Sequence, residues 1–131
     1  MYKISLFLLG VLWLASCKKE NNDARTEAVL TIDSTKMPAI ATLNTAFSGR
    51  VRATGPNLCF RFERMRVDST APREYAVRTI GSVPQGQGGC AQAIFRVDTT
   101  ITITPRVAGQ NIIRFYNANN SLFKADTVQV N

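Results

Sequence analysis

The chain has 131 residues and a net charge of +7, from 16 Lys and Arg against 9 Asp and Glu, which is enough for one domain with a small core. It contains no histidine, so the Ser-His-Asp and Cys-His arrangements of nucleophilic catalysis are excluded. Three cysteines without histidine are a poor zinc-ligand set, and no phosphate-binding Gly-x-x-x-x-Gly-Lys-[Ser/Thr] motif occurs. We therefore predict a protein that is not an enzyme and has no metal or cofactor.

Residues 1–16 have the three parts of a secretory signal peptide. Lys3 supplies a positive charge, residues 4–14 are almost entirely apolar, and the two residues that follow are small. The apolar stretch is shorter than the ~20 residues that span a bilayer. We therefore predict a leader that directs export, and a mature chain that begins after residue 16.

The end of this leader, Leu14-Ala15-Ser16-Cys17, resembles the lipobox of bacterial lipoproteins. In that family the cysteine thiol receives a diacylglycerol, the leader is cleaved just before it, and the new N-terminus is acylated. The resemblance covers the first 17 residues and implies that Cys17 is lipidated and that the protein is held on a membrane. A plain secretory peptide with an incidental cysteine is the alternative.

Residues 17–27 are predicted to be the lipidated cysteine and a flexible tether, because residues 18–27 are polar apart from Ala24. Lys18-Lys19-Glu20 resembles the charged export signals of surface lipoproteins in some Gram-negative bacteria. Lys18 also differs from the Asp that marks inner-membrane retention in some enteric bacteria. These resemblances imply an outer-membrane lipoprotein of the cell envelope, exposed on the surface or facing the periplasm.

Residues 28–131 are predicted to form one domain of short strands. Apolar and polar residues alternate in runs separated by Gly, Pro, Asn and Asp, the pattern of half-buried strands. The apolar phase slips by one near Glu63 and Arg64, which predicts a bulge. The predicted strands cover residues 29–32, 47–53, 58–67, 75–80, 95–103, 112–116 and 122–130.

About seven strands in roughly 100 residues predict an all-β protein, a single immunoglobulin-like antiparallel β-sandwich. The final segment has Pro105, Gly109, the aromatic strand 112–117 and the run 127–130, Thr-Val-Gln-Val. It resembles the closing hairpin of many bacterial immunoglobulin-like domains. The predicted core is Leu58, Phe60, Phe62, Phe95, Val97, Ile101, Phe115 and Val128.

The remaining cysteines, Cys59 and Cys90, are predicted to form a disulfide, because exported chains meet an oxidising environment. The bond would close a loop of about 30 residues and contribute about 3 kcal/mol to stability. Cys90 follows a glycine-rich loop, and no tryptophan lies between the two cysteines. We therefore expect a bond from a strand start to a loop, not an antibody-type bridge through the core. Two unpaired buried thiols are the alternative.

Arginines recur in the predicted strands, where alternation with apolar residues points them away from the core. Pairing of neighbouring strands would gather them into a basic patch suited to an acidic glycan, a lipid-A phosphate or an acidic protein. A solvated face with arginines paired to Glu63, Glu74 and Asp98 is the alternative. Nucleic acid is not an expected partner, because no aromatic ladder lies among the arginines. The candidate binding residues are Arg50, Arg52, Arg61, Arg78 and Arg96, with Arg66 and Arg114 also on strands.

These patterns predict a lipid-anchored envelope module without catalysis that contacts a partner protein or an acidic glycan. One alternative is a small envelope enzyme acting on glycans, for which Glu63 and Glu74 are the carboxyl pair to inspect at about 5–10 Å. Another is a structural subunit of an envelope complex. A calcium site at turns containing Asp68 or Asp98 is a weaker hypothesis, because the EF-hand spacing is absent.

Overall fold

In a computed structural model of the chain, residues 24–86 and 88–131 are described. The predicted signal peptide, Cys17 and most of the tether lie outside the described residues. Within the described part there is no helix both long and apolar enough to cross a membrane. That part forms nine strands and one 3-10 helix, Ala118–Asn120. The strands are β1 (Arg25–Val29), β2 (Thr31–Lys36), β3 (Ile40–Ala41), β4 (Phe47–Gly55), β5 (Arg61–Ala71), β6 (Glu74–Pro84), β7 (Phe95–Ile103), β8 (Gly109–Tyr116) and β9 (Leu122–Val130).

The larger sheet contains six strands built around β6. β5 pairs with residues 74–82 of β6, and the opposite edge of β6 is shared between β1 at residues 80–84 and β8 at residues 74–77. β8, β9 and β3 then complete the sheet. The pairs β6–β8 and β3–β9 are parallel, and the other pairs of this sheet are antiparallel.

The smaller sheet is an antiparallel set of three strands in the order β2-β4-β7. β4 pairs with β7 along its whole length, from Phe47 opposite Ile103 to Gly55 opposite Phe95. The chain passes from one sheet to the other at Leu30, whose amide donates to the Thr79 carbonyl at 2.9 Å. The first two strands therefore connect the two sheets.

The core lies between the sheets, where alternate residues of both layers meet. Val51, Val77, Ile113, Phe115 and Val128 have no exposed surface. The others buried in this cluster are Leu30, Ile32, Ala41, Ala53, Tyr75, Ile101, Ile103 and Val130. An all-β sandwich is therefore confirmed, with nine strands in the described part against about seven expected. The immunoglobulin-like type stays a prediction.

The predicted core is correct at its centre and wrong at one position. Ile101, Phe115 and Val128 are buried, and four of the predicted aromatic and aliphatic side chains are half-buried against the cluster. Leu58 is 52% exposed, because it lies in the loop between β4 and β5 and not in a strand. The four half-buried residues are Phe60, Phe62, Phe95 and Val97.

The bounds of two strands, and the bulge in a third strand, match the sequence predictions. β7 and β9 begin and end where the alternation does, and the register of β5 shifts between Phe62 and Arg64. β3 was not predicted, and the strand predicted over residues 29–32 is divided at Leu30 between the end of β1 and the start of β2. Residues 25–27 were assigned to the tether, but they pair with residues 82–84 of β6. Their polar composition does not predict a strand, because this strand is stabilised by its pairing with β6.

The disulfide joins Cys59, just before β5, to Cys90, in the loop between β6 and β7, with the Cα atoms 5.5 Å apart. It crosses one end of the sandwich and not the core, as predicted. Arg25 reaches the same end: its guanidinium donates to the Cys59 carbonyl at 2.7 Å and to the Ser82 hydroxyl at 2.7 Å. The first strand, the hairpin β5–β6 and the disulfide are thereby held together.

Candidate functional site

The outer side of the three-stranded sheet carries four cations, Lys36, Arg50, Arg52 and Arg96, which we call the basic face. Each is exposed. On β4 the two arginines alternate with Val51 and Ala53, which have no exposed surface, so the pleat directs them to solvent. The core thus fixes which way these arginines point.

Cross-strand register arranges this face in rows. Lys36, Arg50 and Thr100 form one row, and Ser34, Arg52 and Asp98 form the next. A third row brings Arg96 opposite Thr54. Side chains directly opposite each other in antiparallel strands have Cβ atoms about 4.5–5.5 Å apart. The cations therefore lie within reach of a single extended ligand.

A bulge in β2 brings Lys36 onto this face. The register of β2 against β4 shifts between Ile32 and Ser34, with Asp33 as the extra residue. Ile32 is buried, and without the shift Ser34 and Lys36 would share its inward parity. Lys36 was not among the site residues predicted from the sequence. Its outward position depends on the bulge, which is defined only by the pairing of β2 with β4.

The strand that carries Lys36 is fixed by polar contacts to the opposite sheet. The Ile32 amide donates to Asn117 Oδ1 at 2.8 Å, and the Thr35 hydroxyl donates to Asp126 Oδ2 at 2.9 Å. Thr35 therefore points inward between the two outward residues Ser34 and Lys36. These contacts hold β2, an edge strand, in a single position.

The basic face has more cations than partners for them. Asp98 forms a salt bridge with Arg50, whose side chain remains 66% exposed. In the residues that the structure describes, Lys36, Arg52 and Arg96 form no salt bridge and no side-chain hydrogen bond. Repulsion among these like charges is therefore only partly offset, and an anion bound here would relieve it.

A shallow depression of about 120 Å³ lies among these side chains, lined by Ser34, Lys36, Arg50, Arg52 and Asp98. It is smaller than the ~300 Å³ at which pockets for drug-sized ligands begin. Its size and its cations suit one sulfate, phosphate or carboxylate group, to which arginine can donate two parallel hydrogen bonds.

A second depression of about 310 Å³ shares Lys36 and Arg50 with the first. Met37 and Pro38 form an apolar side of it, and Gly49 leaves space for Met37 because a Cβ there would collide with the Met37 side chain. The two depressions form one groove beside β2. Such a groove can hold an anionic group together with the apolar face of its carrier.

The five candidate binding arginines are divided between the two sheets. Arg50, Arg52 and Arg96 meet on the basic face, whereas Arg61 and Arg78 lie on the six-stranded sheet. Strand order therefore answers the question that the sequence left open, because the candidate arginines are shared between two sheets. Arg78 is engaged within the protein: it donates to Asn120 Oδ1 at 2.7 Å, and its guanidinium lies 5.0 Å from the centre of the Tyr116 ring.

The outer side of the six-stranded sheet carries paired charges. Within each pair, the shortest nitrogen-to-oxygen distance is 2.6 Å for Arg64 and Glu27, 3.0 Å for Arg66 and Asp68, and 3.0 Å for Arg114 and Glu74. The hydrogen bond and the negative charge of Glu74 raise the pKa of Arg114 above its ordinary value. Of the three carboxylates expected to pair with arginines, Glu74 does so on this sheet, Asp98 does so on the basic face, and Glu63 instead accepts a hydrogen bond from Ser82.

The carboxylates weighed as catalytic or metal-binding groups are far apart or already paired. Glu63 accepts a hydrogen bond from Ser82 on β6. Ser82 lies eight residues along β6 from Glu74, a separation of about 26 Å at the usual strand rise. They are not a catalytic pair. Asp68 and Asp98 lie within strands, not in turns as expected, and each contacts an arginine. The described residues contain no cluster of three or more potential metal ligands.

Comparison with known proteins supplies no relative. The chain matches no protein-family model, no curated protein and no solved structure significantly. The function is therefore inferred from the residues and their geometry.

Proposed function

We propose that the protein is a lipid-anchored, non-catalytic binding module of the cell envelope, and that its basic face holds an acidic glycan. One observation carries the proposal. Three exposed cations, Lys36, Arg52 and Arg96, stand on one sheet face without a carboxylate partner in the described part of the chain. Two of them adjoin the groove beside β2, since Lys36 and Arg52 line it.

The spacing of the cations favours a linear polyanion over a small ion. Strands in a sheet lie about 4.8 Å apart, and alternate residues of one strand are about 6.7 Å apart. Lys36, Arg52 and Arg96 therefore lie diagonally across the sheet, about 8 Å from one to the next, so a linear chain of anionic groups can contact all three. Each exposed contact is weak in water and screened by salt, so several must act together.

The membrane anchor in this proposal rests on the lipobox at Cys17 and on the polar tether after it. The Cys59–Cys90 bond is compatible with export, because disulfides persist in oxidising compartments. An outer-membrane location follows by analogy from the charged residues after Cys17. Intact mass of the protein extracted from membranes tests the anchor, and the expected product is cleaved before Cys17 and acylated.

The binding test compares equal charge changes on the two sheets. The double variant Lys36→Gln, Arg52→Gln should elute from heparin at clearly lower salt than the unmodified protein, because it loses two groove cations. The matched control Arg64→Gln, Arg66→Gln removes the same charge from the paired face and should elute close to the unmodified protein. All four side chains are exposed, so both variants should fold.

Equal losses in the two double variants would contradict the proposal, since retention would then follow net charge alone. Unchanged heparin retention in both, with loss of an envelope protein from pull-downs of the groove variant only, would point to an acidic protein partner and against a glycan.

A further inference from the structure

The chain enters the sandwich at the end that carries the disulfide. Ala24 is the first described residue, and its carbonyl accepts from the Gln85 amide at 2.8 Å, just after β6 ends. Seven residues lead from Cys17 to Ala24. A chain of that length extends at most about 25 Å. A lipid on Cys17 would therefore keep this end of the domain near the membrane.

This end is a compact surface made of residues 56–60 and 88–94, which we call the bridged end. The disulfide joins the two segments, and the Leu58 amide donates to the Ala91 carbonyl at 3.2 Å. Arg25 donates to the Cys59 carbonyl at 2.7 Å, which connects the entering chain to the same surface. The bridged end is therefore held in a fixed relation to Arg25, at the start of the described chain.

The bridged end presents apolar side chains and no negative charge. Leu58 is 52% exposed and Ile94 is 54% exposed. Arg61 and Arg96, both exposed, follow these segments, and residues 56–61 and 88–96 contain no Asp or Glu. Apolar side chains flanked by cations are the combination that binds at the boundary between lipid headgroups and acyl chains.

We propose that the bridged end docks on the lipid surface of the membrane that carries the Cys17 anchor, with Leu58 and Ile94 entering the headgroup region. The inference rests on the lipid anchor of the proposed function. Two exposed side chains would bind a bilayer weakly alone, but a tether of this length raises their effective concentration at the surface. Arg61 would then lie at the level of lipid phosphates, whereas Arg96 remains part of the basic face.

Docking in this way would direct the groove away from the lipid. Arg50 lies five residues along β4 from Gly55 at the bridged end, about 17 Å at the usual strand rise. Lys36 is opposite Arg50, so this part of the groove stands clear of the headgroups. The anchor and the docked end would together present the basic face to ligands outside the membrane.

Tryptophan fluorescence tests the docking directly. The chain has one tryptophan, Trp13, which lies in the predicted leader, so the mature protein has none. We would place the lipidated protein in vesicles of phosphatidylethanolamine and phosphatidylglycerol, using the variants Leu58→Trp and Ile94→Trp. The control is Ile40→Trp, because Ile40 on β3 is 65% exposed and lies at the opposite end of the sandwich. β3 lies at that end because Ala41 pairs with Val130, and Val130 pairs with Gly109 at the start of β8.

The expected result is a blue-shifted emission that lipids brominated on their acyl chains quench for Leu58→Trp and Ile94→Trp, but not for Ile40→Trp. Equal emission and equal quenching in all three variants of the lipidated protein would overturn the docking and leave the anchor intact. An unacylated mature chain would overturn the anchor and the docking together. Heparin retention of Leu58→Ser, Ile94→Ser in solution should be unchanged, which keeps the test of the basic face separate.

Discussion

The outer faces of the two sheets are both rich in arginine, but they differ in how many of these arginines contact a carboxylate. On the six-stranded sheet, Arg64, Arg66 and Arg114 each contact a carboxylate. On the three-stranded sheet, Asp98 contacts Arg50 and leaves Arg52 without a salt bridge in the described structure. The number of arginines on a strand therefore does not by itself indicate a binding surface. What distinguishes the two faces is whether carboxylates on neighbouring strands contact those arginines.

The difference arises from which strands are neighbours. β5 and β6 form a hairpin whose outward positions include Asp68, which lies within 4 Å of both Arg66 and Arg78. β4 has β2 and β7 beside it, and these contribute Lys36 and Arg96 as well as Asp98 to the outward rows. The six-stranded sheet thereby pairs most of its outward arginines with carboxylates, whereas Lys36, Arg52 and Arg96 on the three-stranded sheet have no such partner among the described residues.

The largest expected effect comes from removing the core that both faces share. Phe115 has no exposed surface, so Phe115→Ala should lower the free energy of unfolding by about 3–5 kcal/mol through lost burial and a cavity. Urea unfolding measures this change. Phe123→Ala is the matched control, because Phe123 on β9 is 38% exposed and should cost much less. Similar losses in the two variants would show that Phe115 is not at the centre of the core.

Removing the disulfide should have the next largest effect. The double variant Cys59→Ser, Cys90→Ser opens a loop with a sequence separation of 31 residues, and we expect a loss of about 3–4 kcal/mol. Urea unfolding with and without reductant measures it. Reductant should destabilise the unmodified protein by a similar amount and leave the variant unchanged. A reductant effect on the variant would contradict the assignment of the stabilisation to this bond.

Removing single carboxylates should have the smallest effect on stability, but it tests the comparison of the two faces most directly. Asp98→Asn and Glu74→Gln each remove the carboxylate of a partly exposed salt bridge, so each should change stability by less than about 1 kcal/mol. Asp98→Asn frees Arg50 on the basic face and should move heparin elution to higher salt. Glu74→Gln frees Arg114 on the other sheet and should leave elution nearly unchanged. A larger shift for Glu74→Gln would locate binding on the six-stranded sheet.

Local alternation predicted the strongly patterned strands but missed those whose stability depends on neighbours. β7 is recognisable because its apolar residues, Val97 and Ile101 among them, all share one parity, and the other parity is polar throughout. β1 consists largely of polar residues and exists because its backbone pairs with β6. Leu58 continues an apolar alternation in the sequence, yet it is exposed because the chain forms a loop there. Alternation of apolar and polar residues shows that the side chains suit a half-buried strand. It does not show that a partner strand is present.

The candidate site was predictable residue by residue but not as a surface. Outward orientation of Arg50, Arg52 and Arg96 follows from their apolar neighbours in the chain. The separation of Arg78 from them follows from strand order, which no local pattern encodes. Lys36 was missed because its position depends on a bulge in β2 that appears only when β2 is paired with β4.

The sequence by itself determined the all-β class, the central core residues and the outward direction of the strand arginines, because pleating and burial act through neighbours in the chain. The two cysteines available for a disulfide were also evident from it. Only the tertiary structure decided which strands adjoin, which cations meet a carboxylate and where the tether enters relative to the disulfide. Those outcomes depend on contacts between residues distant in sequence, and it is these contacts that form the groove and the bridged end.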